Sequence, residues 1–172
     1  MKRFLDSARR PENQKGFTLV EVMFALVYLS VGLLAIAAMQ NIALSRNNDA
    51  KRMSIATSLA VEMTERVRFN SPNNSTAPYP YNFSVSCSPA CTGGTAPTTT
   101  DVTALGDYNQ WRAHLAATDP AGAALLPSAT GTVTSAALGP AALGQVLVTV
   151  TVSWTAGIRT PTITLNTVVA PL

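Results

Sequence analysis

The sequence predicts an α+β fold: a long N-terminal α-helix, membrane-like in its first half, packed on a C-terminal antiparallel β-sheet of three or four strands. Three observations carry this. No charged residue occurs from Val22 to Ser45, no proline occurs from Phe17 to Ser71, and the last third of the chain alternates apolar and polar residues.

The first observation sets a membrane segment. An α-helix rises about 1.5 Å per residue, so about 20 residues cross a hydrocarbon core. The uncharged run holds 24, and buried helices of soluble proteins rarely extend so far without a polar stripe. Lys2, Arg3, Arg9, Arg10 and Lys15 precede it. Basic residues placed there hold a chain end in the cytoplasm, which puts the part after Arg46 across the membrane.

The helix is expected to continue. Within residues 46–69, apolar side chains recur at Ala50, Met53, Ala56, Leu59/Ala60, Met63 and Val67, spacings of three and four. This stripe is expected to cover the sheet, with Glu62, Glu65, Arg66 and Arg68 as a solvated face. Asn70-Ser71-Pro72-Asn73-Asn74 stops it, so one helix runs from about Phe17 to Phe69. Residues 70–103 are rich in Pro, Ser, Thr, Asn and Gly, with a short strand expected through Tyr79, Tyr81, Phe83 and Val85. A helix follows around Tyr108–Ala117, with Trp111 and Leu115 four apart on one face and Trp111 in the core. Gln145–Trp154 and Thr160–Val169 alternate as strands about an Ala156-Gly157 turn, and a weaker strand lies near Gly131–Ala136.

Charge and cysteine usage exclude several functions. The formal charge of +3 in 172 residues resides in the first 16 residues, and the remainder carries balanced charge. Direct nucleic-acid binding is therefore not expected of the main body. Cys87, Cys91 and the lone His114 cannot fill a four-ligand zinc site, and the cysteine spacing is not that of a redox C-x-x-C. A small Cys87–Cys91 disulfide loop is expected of an exported domain, two separate buried thiols being the alternative. No Ser/His/Asp grouping and no phosphate loop is present, and Asp101, Asp107 and Asp119 have no evident acid–base partners. The chain is expected to be no enzyme, with no catalytic residue, metal or cofactor.

A basic start before an apolar run fits a plain anchor, a secretory signal cut near Ala35-Ile36-Ala37, or a leader cut before the run. Lys15-Gly16-Phe17-Thr18-Leu19-Val20-Glu21 decides between them. A central acidic residue in a membrane helix is disfavoured by roughly 2.5–3.5 kcal/mol, less near the end, and the first two readings give it no use. Scission after Gly16 would supply one: Phe17 would gain a positive α-amino group one helical turn from Glu21. Among parallel helices, Glu21 of one subunit would pair with the amine of a neighbour and set register. Gly16, without a side chain, lets a protease approach the backbone.

The string KGFTLVEVMFALVYLSVGLLA resembles the class III signal of type IV prepilins and pseudopilins. The resemblance implies cleavage between Gly16 and Phe17 by a prepilin peptidase, N-methylation of Phe17 by the same enzyme, and an assembly role for Glu21. It implies a leader over 1–16, a membrane and filament-core helix over 17–45, an amphipathic half over 46–69 and an exported α+β domain over 70–172. Glu62-Met63-Thr64-Glu65-Arg66-Val67-Arg68 before Asn70, Trp111-Arg112 with Leu115, and Val152-Ser153-Trp154 look like PilV-type minor pilins. No proline stands near Ala38, and the cysteines sit close together at mid-chain, both unlike a bulk filament subunit. The implied function is that of a minor pilin in type IV pilus assembly or priming, supporting adhesion, twitching motility or DNA uptake. Its implied partners are major and minor pilins, an inner-membrane assembly platform and membrane lipid. The implied location is the inner membrane, with a periplasmic C-terminal domain, and later the filament or its tip. A minor pseudopilin of a type II secretion system is the nearest alternative; an exported binding protein on a simple anchor is another.

Overall fold

A computed structural model describes residues 16–70, 79–88, 90–139 and 143–170. Its elements run α1 (Leu19–Phe69), β1 (Phe83–Ser86), α2 (Val102–Leu115), β2 (Thr130–Ala137), β3 (Val146–Ser153) and β4 (Thr162–Val169). The strands pair antiparallel in the order β1-β2-β3-β4. This is the expected α+β layout, a long helix on an antiparallel sheet. The chain divides into two units, the first ending at Ser45 and the second beginning at Arg46. That point is where the uncharged run ends.

In the first unit every described side chain is exposed. Phe24, Leu26, Val27, Leu33 and Ile36 are among the large apolar groups left uncovered. An apolar surface of that extent needs lipid or other helices against it. Among the unit's polar side chains, the Ser30 hydroxyl is met internally, donating to the Leu26 carbonyl at 2.7 Å, the i−4 bond that lets serine sit in an apolar helix.

The second unit holds the core. Ala56, Leu59, Ala60, Met63 and Val67 bury one stripe of α1, as the spacing predicts. Ala50 and Met53 depart from it: both are exposed, Met53 by 55%. Met53 lies about one turn before the first buried residue of α1, Ala56. The opposing sheet face is aliphatic. Val146, Val148, Val150 and Val152 of β3 are buried in alternation, and the β3–β2 register sets Val152 beside Gly131 and Val150 beside Val133. Each buried valine contributes about 1.5 kcal/mol or more.

Trp111 joins the layers. Its ring is fully buried, its Nε1 donates to the Leu59 carbonyl at 3.0 Å, and Phe83 packs edge-on at 6.1 Å between centroids. Gly131 faces this ring, and a Cβ there would lie 2.5 Å from Cη2.

The second helix starts at Val102, six residues earlier than the sequence pattern indicates. Asp101 is its N-cap: Oδ1 accepts from Thr103 N at 2.8 Å and Ala104 N at 3.2 Å. Thr103, Gly106 and Asp107 are poor helix formers and hide this turn from propensity reasoning. The first strand is confined to Phe83–Ser86 because its partner in β2 spans only Thr130–Val133. Beyond it Cys87 and Cys91 form a disulfide. The chain then returns along the outer edge of β1, with Ser84 N donating to Thr95 O at 2.9 Å and Ser86 N to Gly93 O at 2.9 Å.

The charges expected to form a solvated face do so only in part. Glu65 and Arg68 pair at 3.0 Å in solvent. Arg66 instead bridges α1 to α2, contacting Glu62 at 2.7 Å, Asp107 at 2.8 Å and Gln110 at 2.6 Å. The Arg66 pKa is raised: burial alone lowers it, but the bonds from Asp107 and Glu62 outweigh burial. Asp107 also accepts from the buried Tyr81 hydroxyl at 2.5 Å, and Asn70 Nδ2 donates to Tyr81 Oη at 3.2 Å.

Burial first, then the Asp107 bond, raise the Tyr81 pKa above its ordinary value of 10.0. The folded chain therefore holds this proton more tightly than the unfolded chain. The stabilisation is complete below about pH 10 and is lost as pH rises through the folded-state value. Thermal unfolding of the detergent-solubilised chain is expected to show a midpoint that falls above about pH 10. Tyr81→Phe should start lower and fall less steeply; an equally steep fall would remove this role for Tyr81.

Candidate processing and anchoring site

Gly16, Phe17 and Thr18 precede α1, and Glu21 lies in its first turn. Helix initiation here is local chemistry. Thr18 is the N-cap: its Oγ1 accepts from Glu21 N at 3.2 Å, while its carbonyl accepts from Glu21 N at 3.0 Å and Val22 N at 3.2 Å. Threonine at the cap with glutamate three residues on is the spacing of a capping box. The sequence reading singled out Gly16, Phe17 and Glu21 but missed Thr18. The signal that finds it is Thr18-x-x-Glu21 directly before the apolar run. The helix therefore begins at Leu19, two residues later than expected, because Phe17 and Thr18 form the entry to the cap.

The geometry gives each residue a distinct position. A Cβ at Gly16 would meet nothing within 4 Å, so the fold places no steric demand for glycine there. Phe17 is 81% exposed, one residue before the cap. Glu21 is exposed in the first turn, where the unpaired N–H groups and the helix dipole favour a carboxylate. A new α-amino group at Phe17 would stand beside the positive end of that dipole, and the Glu21 carboxylate offsets the unfavourable charge. The expected leader, apart from Gly16, lies outside the described residues.

Behind this segment α1 is long and apolar enough to cross a membrane, and its most apolar window is wholly unburied. The other expected site, Cys87 and Cys91, lies in the second unit, where the disulfide closes a five-residue loop after β1. Among the described residues no group of His, Cys, Asp and Glu side chains is arranged to hold a metal ion. His114, undistinguished in the sequence, stands 3.1 Å from the Glu62 carboxylate through Nδ1.

Residues 12–37 match the family model for the prokaryotic N-terminal methylation motif. No curated protein and no solved structure matches the chain. The matched residues contain Gly16, Phe17, the Thr18 cap and Glu21, and they extend into the apolar helix. The motif implies processing by a prepilin peptidase, and the helix behind it fits membrane anchoring. That motif at the head of a long helix on an antiparallel sheet is consistent with a type IV prepilin-like protein.

Proposed function

We propose that the chain is the precursor of a minor pilin of a type IV pilus, of PilV type. A prepilin peptidase cuts it between Gly16 and Phe17 on the cytoplasmic face and methylates the Phe17 amine. Residues 17–45 hold it in the inner membrane, with the domain from Arg46 onward in the periplasm. Major pilins, other minor pilins and an inner-membrane assembly platform then take it into a filament. There it serves priming, adhesion, twitching motility or DNA uptake as a subunit, not as a catalyst.

One observation carries this reading: the methylation motif contains a capped helix start, with an otherwise unused carboxylate one turn from the scission point. The Gly16 geometry supports it, since glycine there answers no packing need of the fold. Mass spectrometry of the chain isolated from membranes is expected to show a mature N-terminus at Phe17 carrying one methyl group. A terminus at Ala38 would instead indicate a secretory signal, and a chain still starting at Met1 would indicate a plain anchor. Probing sheared, purified filaments for the protein tests the pilus role separately, with a stoichiometry far below that of the bulk subunit expected.

A further inference from the structure

A concentration of charge that the reading above does not use lies within the second unit, between α1 and the loop after α2. Asn48, Lys51, Arg52 and Ile55 share one face of α1 at spacings of three and four. With Asp119 and Leu125 they line a cavity of about 230 Å³. Arg52 is half-buried and Lys51 exposed. Among the described residues neither forms an ion pair with a carboxylate.

Asp119 offsets one of the two positive charges without forming an ion pair with either. Its Oδ1 accepts from Ala121 N at 2.9 Å and Ala123 N at 2.9 Å, so that oxygen is held by its own turn. The lining carries two positive groups and one negative, against an apolar wall that includes Ile55 and Leu125. A guanidinium partly removed from water with no carboxylate in contact is disfavoured, and the one carboxylate of the lining leaves it net positive. An anion in the cavity would relieve that, and lower local polarity would strengthen the contact. A guanidinium fork matches two phosphate oxygens, and an ammonium adds a point charge.

Position along the chain narrows the anion. Lys51 and Arg52 follow Ser45, the end of the uncharged run, by six and seven residues. Long side chains on a helix lean toward its N-terminus, here the end that carries the apolar run. Arg46 and Asp49, on the same stretch of α1, add no net charge. We propose that this cavity holds the headgroup phosphate of an anionic phospholipid, with Arg52 gripping the phosphate and Lys51 and Asn48 closing on it. The proposal rests on the reading of α1 as a membrane anchor.

The test uses the full chain in nanodiscs of mixed phosphatidylglycerol and phosphatidylcholine, with insertion scored first and retained lipid then counted by native mass spectrometry. Wild type is expected to prefer phosphatidylglycerol by roughly tenfold. The K51A/R52A double variant should lose that preference while Arg46→Ala keeps it. Equal retention of both lipids, or a preference unchanged in the double variant, would overturn the headgroup site. So would inorganic phosphate alone binding the detergent-solubilised chain as strongly as the lipid does. Failure to insert would overturn the anchor reading and the headgroup site together, whereas an inserted chain without preference sinks only the latter.

Discussion

Gly131→Ala is expected to destabilise the second unit by about 3 kcal/mol, the upper part of the range for overpacking a filled core. The added methyl would meet Trp111 Cη2 at 2.5 Å, Cζ3 at 2.6 Å and Leu115 Cδ1 at 2.8 Å. The indole has little freedom to retreat, because its Nε1 is bonded to the Leu59 carbonyl and its ring packs on Phe83. For a domain of this size the unfolding midpoint should fall by about 10 °C. Gly106→Ala is the internal control. It lies in α2 with nothing within 4 Å of the added carbon, so it should be neutral or stabilising by up to about 1 kcal/mol. Combining Gly131→Ala with Trp111→Phe removes the ring atoms that clash, and the double variant should be less destabilised than the two single effects summed. Calorimetry of wild type and these four variants, Trp111→Phe included, checks this; equal midpoints for Gly131→Ala and Gly106→Ala would show the Trp111 contact to be soft.

The second large effect is expected at Glu21. Glu21→Leu should leave scission after Gly16 intact, because neither the cap bond nor the helix start uses its carboxylate: Thr18 accepts from the Glu21 backbone N–H. Stability of the isolated chain should change by less than about 1 kcal/mol, the size of a charge–dipole contact in a first turn. Assembly is a different matter. If the carboxylate pairs with the Phe17 amine of a neighbour in an apolar filament core, removing it leaves a buried positive charge, a loss of about 3–5 kcal/mol per subunit. Incorporation into filaments should then fall a hundredfold or more by the same arithmetic. Glu21→Gln separates charge from shape, and it should fail as badly as leucine. Filament immunoblots beside N-terminal mass spectrometry read both outcomes, and normal incorporation of the glutamine variant would remove the pairing role.

Much of this architecture can be read from local patterns. A proline-free stretch with a stripe at three-and-four spacing marks α1, and alternating valines mark β3 together with the face it buries. The N-terminal site is equally legible, since Gly16, Phe17 and Glu21 lie within six residues and depend on nothing distant. What escapes is long-range or capped. The Arg66–Asp107 bridge joins residues 41 apart in sequence, and no local pattern marks it. The start of α2 depends on the Asp101 side chain and not on propensity. The Lys51–Arg52 cavity exists only because the loop from Asp119 to Leu125 folds against α1.

The burial of Ala56, Leu59, Ala60, Met63 and Val67 against the sheet has a practical consequence for making a soluble form. One wall of the domain's interior is supplied by the same helix that begins in the membrane segment, so anchor and domain share a continuous piece of backbone. Trimming back to Arg46 spares that wall. Trimming to Phe69 would strip the valines of β3 of their cover and leave the Trp111 indole N–H without the Leu59 carbonyl, so what remained would be an unsheltered sheet prone to stick to its neighbours.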